Sequence, residues 1–122
     1  MATNSKRVIA YVADLMFSSR IQETLKPAGF VVEAVEDLAS LSGALDRAQP
    51  DAIILDLDAS AKANDVLARA GGVPVLAFGR HTEPALLRSA REAGCALVVP
   101  RSLFVEEMPD LILRAIGAHR PA

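Results

Sequence analysis

The sequence predicts an α/β domain built on a five-stranded parallel sheet with helices on both faces. Three observations lead there. Four apolar runs, VIAYV (Val8 to Val12), AIILDL (Ala52 to Leu57), VPVLAF (Val73 to Phe78) and ALVV (Ala96 to Val99), are short and continuous rather than alternating, as strands covered on both faces are. Between the strands, apolar residues recur at helical spacing. Turn and cap residues stand at the junctions. A strict strand–helix alternation with short links requires right-handed crossovers, and the doubly wound order 2-1-3-4-5 covers both faces of the central strands.

Each element has its own signal. After the first strand, Phe17, Ile21, Leu25 and Ala28 recur at i, i+4, i+8 and i+11 and define a first helix. The run FVVEAV (Phe30 to Val35) is interrupted by Glu33, which suits an edge strand partly open to water. Leu38, Leu41, Leu45 and Ala48 mark a second helix capped by Asp37. The third helix is short, because Gly71 and Gly72 arrive early. The fourth is capped by Thr82, has Pro84 in its first turn, and turns Leu86, Leu87, Ala90 and Ala93 inward with Arg88, Arg91 and Glu92 outward. The fifth has Pro109 in its first turn and Leu111, Ile112, Ala115 and Ile116 on its core side. Gly29, Gly71, Gly94 and Gly117 stand where helices should stop.

Length and composition bound the function. One domain over 1–122 is expected, with a core of about 6–117 and a short tail AHRPA. The 52% hydrophobic content is mostly Ala, Val, Leu and Ile, which argues against disorder. A formal charge of −2 with scattered arginines provides no basic field for nucleic acid. No apolar run approaches the roughly 20 residues that span a bilayer, and MATNSKR leads straight into a strand, so no membrane partner and a cytoplasmic location are expected. Cys95, in GCALVV, reads as a small buried apolar residue.

In this topology the loops after strands one, three, four and five converge on the crevice where such sheets place their chemistry. They contain Asp14, Asp56 with Asp58, Arg80 with His81, and Arg101. His81 reads as an exposed loop residue rather than a base, since no hydroxyl nucleophile stands beside it, and His119 belongs to the tail.

These residues resemble the receiver domain of two-component response regulators, the CheY-like, flavodoxin-like fold, over roughly Lys6 to Ile116. The family opens with a strand ending in two acids; YVADLMFSSRI has Ala13 and Asp14 there, so one acid is kept. In PDAIILDLD, Asp56 falls on the phosphoacceptor position and Asp51 opens the strand. Ser60 stands near the family's loop proline, and Asn64 where a glycine usually turns into the third helix. The resemblance implies that Asp14, Asp56 and the backbone carbonyl of Asp58 hold Mg²⁺, weakly, because Ala13 removes a carboxylate. It also implies a dismantled switch. Gly79 replaces the Ser/Thr that ends strand four, Leu97 the aromatic relay residue of strand five, and Pro100 the following lysine, with Arg101 as a shifted cation of different shape.

The reading is therefore an atypical or pseudo-receiver: not an enzyme, needing no cofactor, and signalling through a protein partner, a kinase or a downstream regulator, with phosphorylation at Asp56 lost or weak. A homodimer is the second way to use the family's partner surface, marked here by Arg88, Arg91 and the fifth helix. The alternative is a working but degenerate phosphoreceiver with Mg²⁺ and phosphate on Asp56. A third reading takes IILDLDAS as the DxDx(T/V) motif of haloacid-dehalogenase-type phosphatases, with Asp56 as nucleophile and Asp58 as acid, but two strand–helix units precede it and no lysine follows Lys62. ADLMFSS supplies no flavin phosphate loop. Two further questions are structural. Arg80 or Arg101 could pair with Asp14 or Asp56 and fix one conformation, and Leu15-Met16-Phe17 and Leu103-Phe104-Val105 are either buried or form a patch.

Overall fold

The computed structural model describes residues 5–59 and 61–119. Ser60, the first four residues, the side chain of His119 and the tail from Arg120 lie outside the described residues. The elements alternate as β1 (Lys6–Tyr11), α1 (Leu15–Leu25), β2 (Phe30–Val35), α2 (Leu38–Arg47), β3 (Ala52–Asp56), α3 (Ala63–Ala70), β4 (Val75–Gly79), α4 (Pro84–Ala93), β5 (Leu97–Pro100) and α5 (Arg101–His119). All pairings are parallel and the order is β2-β1-β3-β4-β5, the doubly wound order expected.

Strand alternation sorts the core into two layers. Val8, Ala10, Ile54, Leu76, Phe78 and Val99 pack under α1 and α5 on one face. Ile9, Tyr11, Ile53, Leu55, Ala77 and Val98 pack under α2, α3 and α4 on the other. Glu33 in β2 is not simply solvated. It lies between Arg7, whose Nη2 is 3.0 Å from its Oε1, and Arg47, which pairs with its Oε2. Arg7 Nη2 also donates to the carbonyl of Ala44, and the Arg7 N–H donates to Asp51 Oδ2 at 2.9 Å, so the entry to β3 is tied to β1.

Several boundaries differ from the sequence pattern for local reasons. Asp37 caps α2, its Oδ1 accepting from Ser40 N at 2.7 Å, and this hydrogen bond holds its carboxyl below the ordinary value. Thr82 does not cap α4; Glu83 stands at that position without a side-chain bond, ahead of Pro84. Ala28 and Ala48 fall beyond their helices. Gly71 and Gly94 end α3 and α4 with positive φ, but Gly117 is inside α5. Asn64 is helical, and among the described residues only glycines have positive φ. In α5 the backbone departs from helical geometry at Glu107 (φ −125°, ψ 30°), which lets Pro109 sit in the first turn of the segment that follows. Cys95 is half-buried against the α3/α4 layer, and burial pushes its thiol up to about 11, which suits an inert packing residue.

Candidate functional site

The last residue of β3 is Asp56, paired with Phe78 of β4. It shares a sheet face with Ile54 and Phe78 and so points toward the α1 and α5 side. Asp56 is only 3% exposed. Its Oδ1 accepts the Asp58 N–H at 2.9 Å, and its carbonyl accepts from Ala59 N, closing the turn that leaves the strand. Burial raises the Asp56 carboxyl above the ordinary carboxylate value. The Asp58 N–H opposes this, the Asp58 charge adds to it, Arg101 opposes it and Asp14 adds to it.

Asp14 caps α1. Its Oδ1 accepts from Met16 N at 2.9 Å and Phe17 N at 3.4 Å, while the residue and its neighbour Ala13 stay exposed. That cap turns Phe17 inward one helical turn later, to a ring centroid 5.4 Å from Phe78 and 6.2 Å from Phe104. Phe78 and Phe104 stack at 4.4 Å. Arg101, the first residue of α5, lays its guanidinium carbon 4.0 Å above the Phe17 ring.

Neither flanking arginine forms an ion pair with Asp14 or Asp56 among the described residues. Arg80 Nε is 3.2 Å from Asp58 Oδ2, a largely solvated pair, and Arg101 is held by the aromatic ring. The two cations at the crevice have thus been drawn to other partners than the buried carboxylate. Asp58 carries the Arg80 pair, which occupies the carboxylate that a DxD phosphatase would use as its acid.

Gly79 ends β4 opposite Pro100. A Cβ there would stand 3.2 Å from Leu87 Cδ2 and 3.3 Å from Leu57 Cδ1, so a side chain at this position would press on two leucines, which would have to give by a few tenths of an ångström. Leu97 faces the α1/α5 layer, on the other side of the sheet from Leu57 and Leu87; the β5 residue on the Gly79 side is Val98. Leu97 is therefore not placed to relay a movement at Gly79. Phe17, Phe104, Leu57 and Leu87 shape the site as much as the acids do. Sequence reasoning counted Phe17 as helix stripe or patch and Leu87 as helix stripe; the available signal was that Phe17 follows Asp14, and Phe104 follows Arg101, by three residues, one helical turn.

Among the described residues no group of three or more His, Cys, Asp or Glu is arranged to hold a metal. One oxygen of Asp14 is engaged as a cap and Ala13 supplies no carboxylate, whereas Mg²⁺ demands a near-octahedral set of oxygens. Two carboxylates, Asp14 and Asp56, and the Asp58 carbonyl are the residues here that would hold Mg²⁺.

The apolar runs divide. Phe17 and Phe104 are buried and Leu103 and Val105 half-buried, but Leu15 and Met16 are 72% and 84% exposed beside Asp14. On α4, Arg88 is exposed, whereas Arg91 Nη2 donates to the Val98 carbonyl at 3.3 Å and ties the helix to β5. Among the described residues no helix is long and apolar enough to cross a membrane.

No family model and no curated protein sequence matches the chain. Solved structures do. The chain is similar to NtrX from Brucella abortus in complex with ADP (TM-score 0.84, 14% identity), covering 94% of this chain and 28% of that one. The N-terminal signal receiver domain of a two-component response regulator from Bacteroides fragilis matches with a TM-score of 0.80 and 18% identity, over 95% of this chain and 98% of that one. The receiver domain of sensor histidine kinase PA1611 from Pseudomonas aeruginosa PAO1, with a magnesium ion coordinated in its active site cleft, matches with a TM-score of 0.77 and 18% identity, over 93% and 98%. The fold is that of CheY-like receiver domains.

Proposed function

We propose that this receiver fold works as a pseudo-receiver in two-component-type signalling, passing information through protein contacts without a phosphorylation cycle at Asp56. One observation carries the reading: the carboxylate at the phosphoacceptor position is 3% exposed and already accepts a backbone N–H. An in-line attack needs an ionised, accessible oxygen, a cation on the transferring group and a place for its oxygens. Burial works against the first, Arg101 is stacked on Phe17, and Gly79 supplies no hydroxyl at the end of β4. Ala13 and the Asp14 cap leave Mg²⁺ at most a weak hold on Asp14, Asp56 and the Asp58 carbonyl. The exposed Leu15–Met16 pair and Arg88 are the surfaces we assign to a protein partner, a kinase or a downstream regulator, with a second copy of the chain as the other occupant.

Incubation with acetyl phosphate and Mg²⁺, followed by intact-mass measurement, tests this. In a working receiver an Asp56 oxygen forms a bond to phosphorus, the bond from phosphorus to the acetyl oxygen breaks, and acetate leaves with the electron pair. The expected result is no phosphoryl adduct in the parent or in Asp56→Asn, and no saturation of amide shifts by Mg²⁺ in the millimolar range. An adduct on the parent that disappears in Asp56→Asn establishes the degenerate phosphoreceiver instead.

A further inference from the structure

An open cleft of about 330 Å³ lies between the β4–α4 loop and the start of α5, lined by Arg80, His81, Thr82, Arg101 and Ser102. Its lining has two permanent cations, one imidazole and two hydroxyls, and no carboxylate. This is unusual on a chain whose net charge is −2. Asp58 pairs with Arg80 through Nε, leaving the terminal Nη groups of a side chain that is 66% exposed, and the buried Asp56 feels the Arg101 charge without pairing with it. Arg101 is tied to Phe17 by its flat face only. Stacking leaves the edge of a guanidinium, where its N–H donors lie, open to a ligand in the same plane. Among the described residues no carboxylate forms an ion pair with it.

We infer that this cleft is a binding site for a phosphate group, carried by a small phosphorylated molecule or present as free orthophosphate. Two guanidiniums present fork-shaped donors that match phosphate oxygens in pairs, and His81, Thr82 and Ser102 add donors around the rim. The volume is at the lower end of the roughly 300–1,000 Å³ of small-molecule sites, enough for a phosphate and a modest organic body. Binding is non-covalent and separate from Asp56, so it holds whether or not that residue accepts a phosphoryl group. An occupant would bridge the Nη groups of Arg80 and the donor edge of Arg101 with Asp58 and Phe17 still in place behind them.

Amide shifts of the labelled protein, followed during titration with sodium phosphate and separately with AMP, with sodium chloride at matched ionic strength as the reference, test the site. Saturable shifts confined to residues 80–82 and 101–102 are expected. Arg80→Ala and Arg101→Gln should each weaken binding at least about tenfold, the loss of one charge-assisted contact. Arg69→Ala, at an exposed position of α3, should leave it unchanged. Tighter binding of AMP assigns the site to phosphorylated small molecules, and equal binding assigns it to the phosphate group alone. Shifts that chloride reproduces, that centre on Asp14 and Asp56, or that persist in a folded Arg80→Ala protein overturn the proposal; Arg80 is exposed, and far-UV circular dichroism verifies the fold of each variant.

Discussion

The two ends of the sheet treat charge in opposite ways. At the amino end, Arg7 is surrounded by partners: Glu33, the Ala44 carbonyl and, through its backbone, Asp51, with Arg47 completing the set around Glu33. At the carboxyl end, Asp56 is the more deeply buried group, yet the arginine of the β4–α4 loop and the one that opens α5 turn elsewhere, to Asp58 and to Phe17. An ion cluster that is satisfied holds strands in register. A buried carboxylate left without its cation costs stability, and sites retained at a cost are where function concentrates.

The difference breaks most severely at Phe17. Truncation to Ala removes a ring that touches Phe78 and Phe104 and supports Arg101. A buried Phe→Ala change costs about 3–5 kcal/mol. Chemical denaturation should show a loss of that size, whereas Phe17→Leu should lose much less and still release Arg101. In Phe17→Leu the freed guanidinium should swing toward Asp56, so the carboxyl titration of Asp56, followed by NMR, should move down; an unmoved titration shows that the stack does not keep the two apart.

At the other end, Glu33→Ala should be the next largest change. It leaves Arg7, a half-buried cation, without its carboxylate, for an expected loss of about 1–3 kcal/mol in urea unfolding. Glu33→Gln retains an acceptor and should lose less. A loss no greater than that of an exposed ion pair, under about 1 kcal/mol, removes the contrast between the two ends.

What the sequence disclosed follows the same division. Strand runs and helix stripes are written in contiguous residues, so the five strands, the order and Asp37 as a cap were readable. Asp56 was readable because it ends such a run. The partners of Arg80 and Arg101 were not, because each guanidinium has several anions or rings within reach of its long stem, and only packed geometry selects Asp58 and Phe17. Gly79 shows both sides: the missing hydroxyl is visible in the sequence, but its close neighbours Leu57 and Leu87 are not. Glu33 marks β2 as the edge strand it is, but its ion pairs with Arg7 and Arg47 are visible only in the packed structure.

The smallest and most diagnostic effect concerns Asp56 itself. Its folded-state carboxyl is raised above the ordinary value, chiefly by burial, so folding favours the protonated form. Stability from this group is therefore complete below the ordinary carboxylate value and is lost as pH rises through the raised one. Asp56→Asn keeps an oxygen to accept the Asp58 N–H and removes the charge. At pH 7 it should raise the unfolding midpoint by a few degrees, consistent with roughly 1 kcal/mol in a domain this size. As the pH is lowered through the raised value toward the ordinary one, the advantage should shrink, because the parent's own carboxyl becomes neutral. If instead Asp56→Asn is less stable than the parent at pH 7, an unseen favourable pairing holds the carboxylate, and the carboxyl end of the sheet is as satisfied as the amino end.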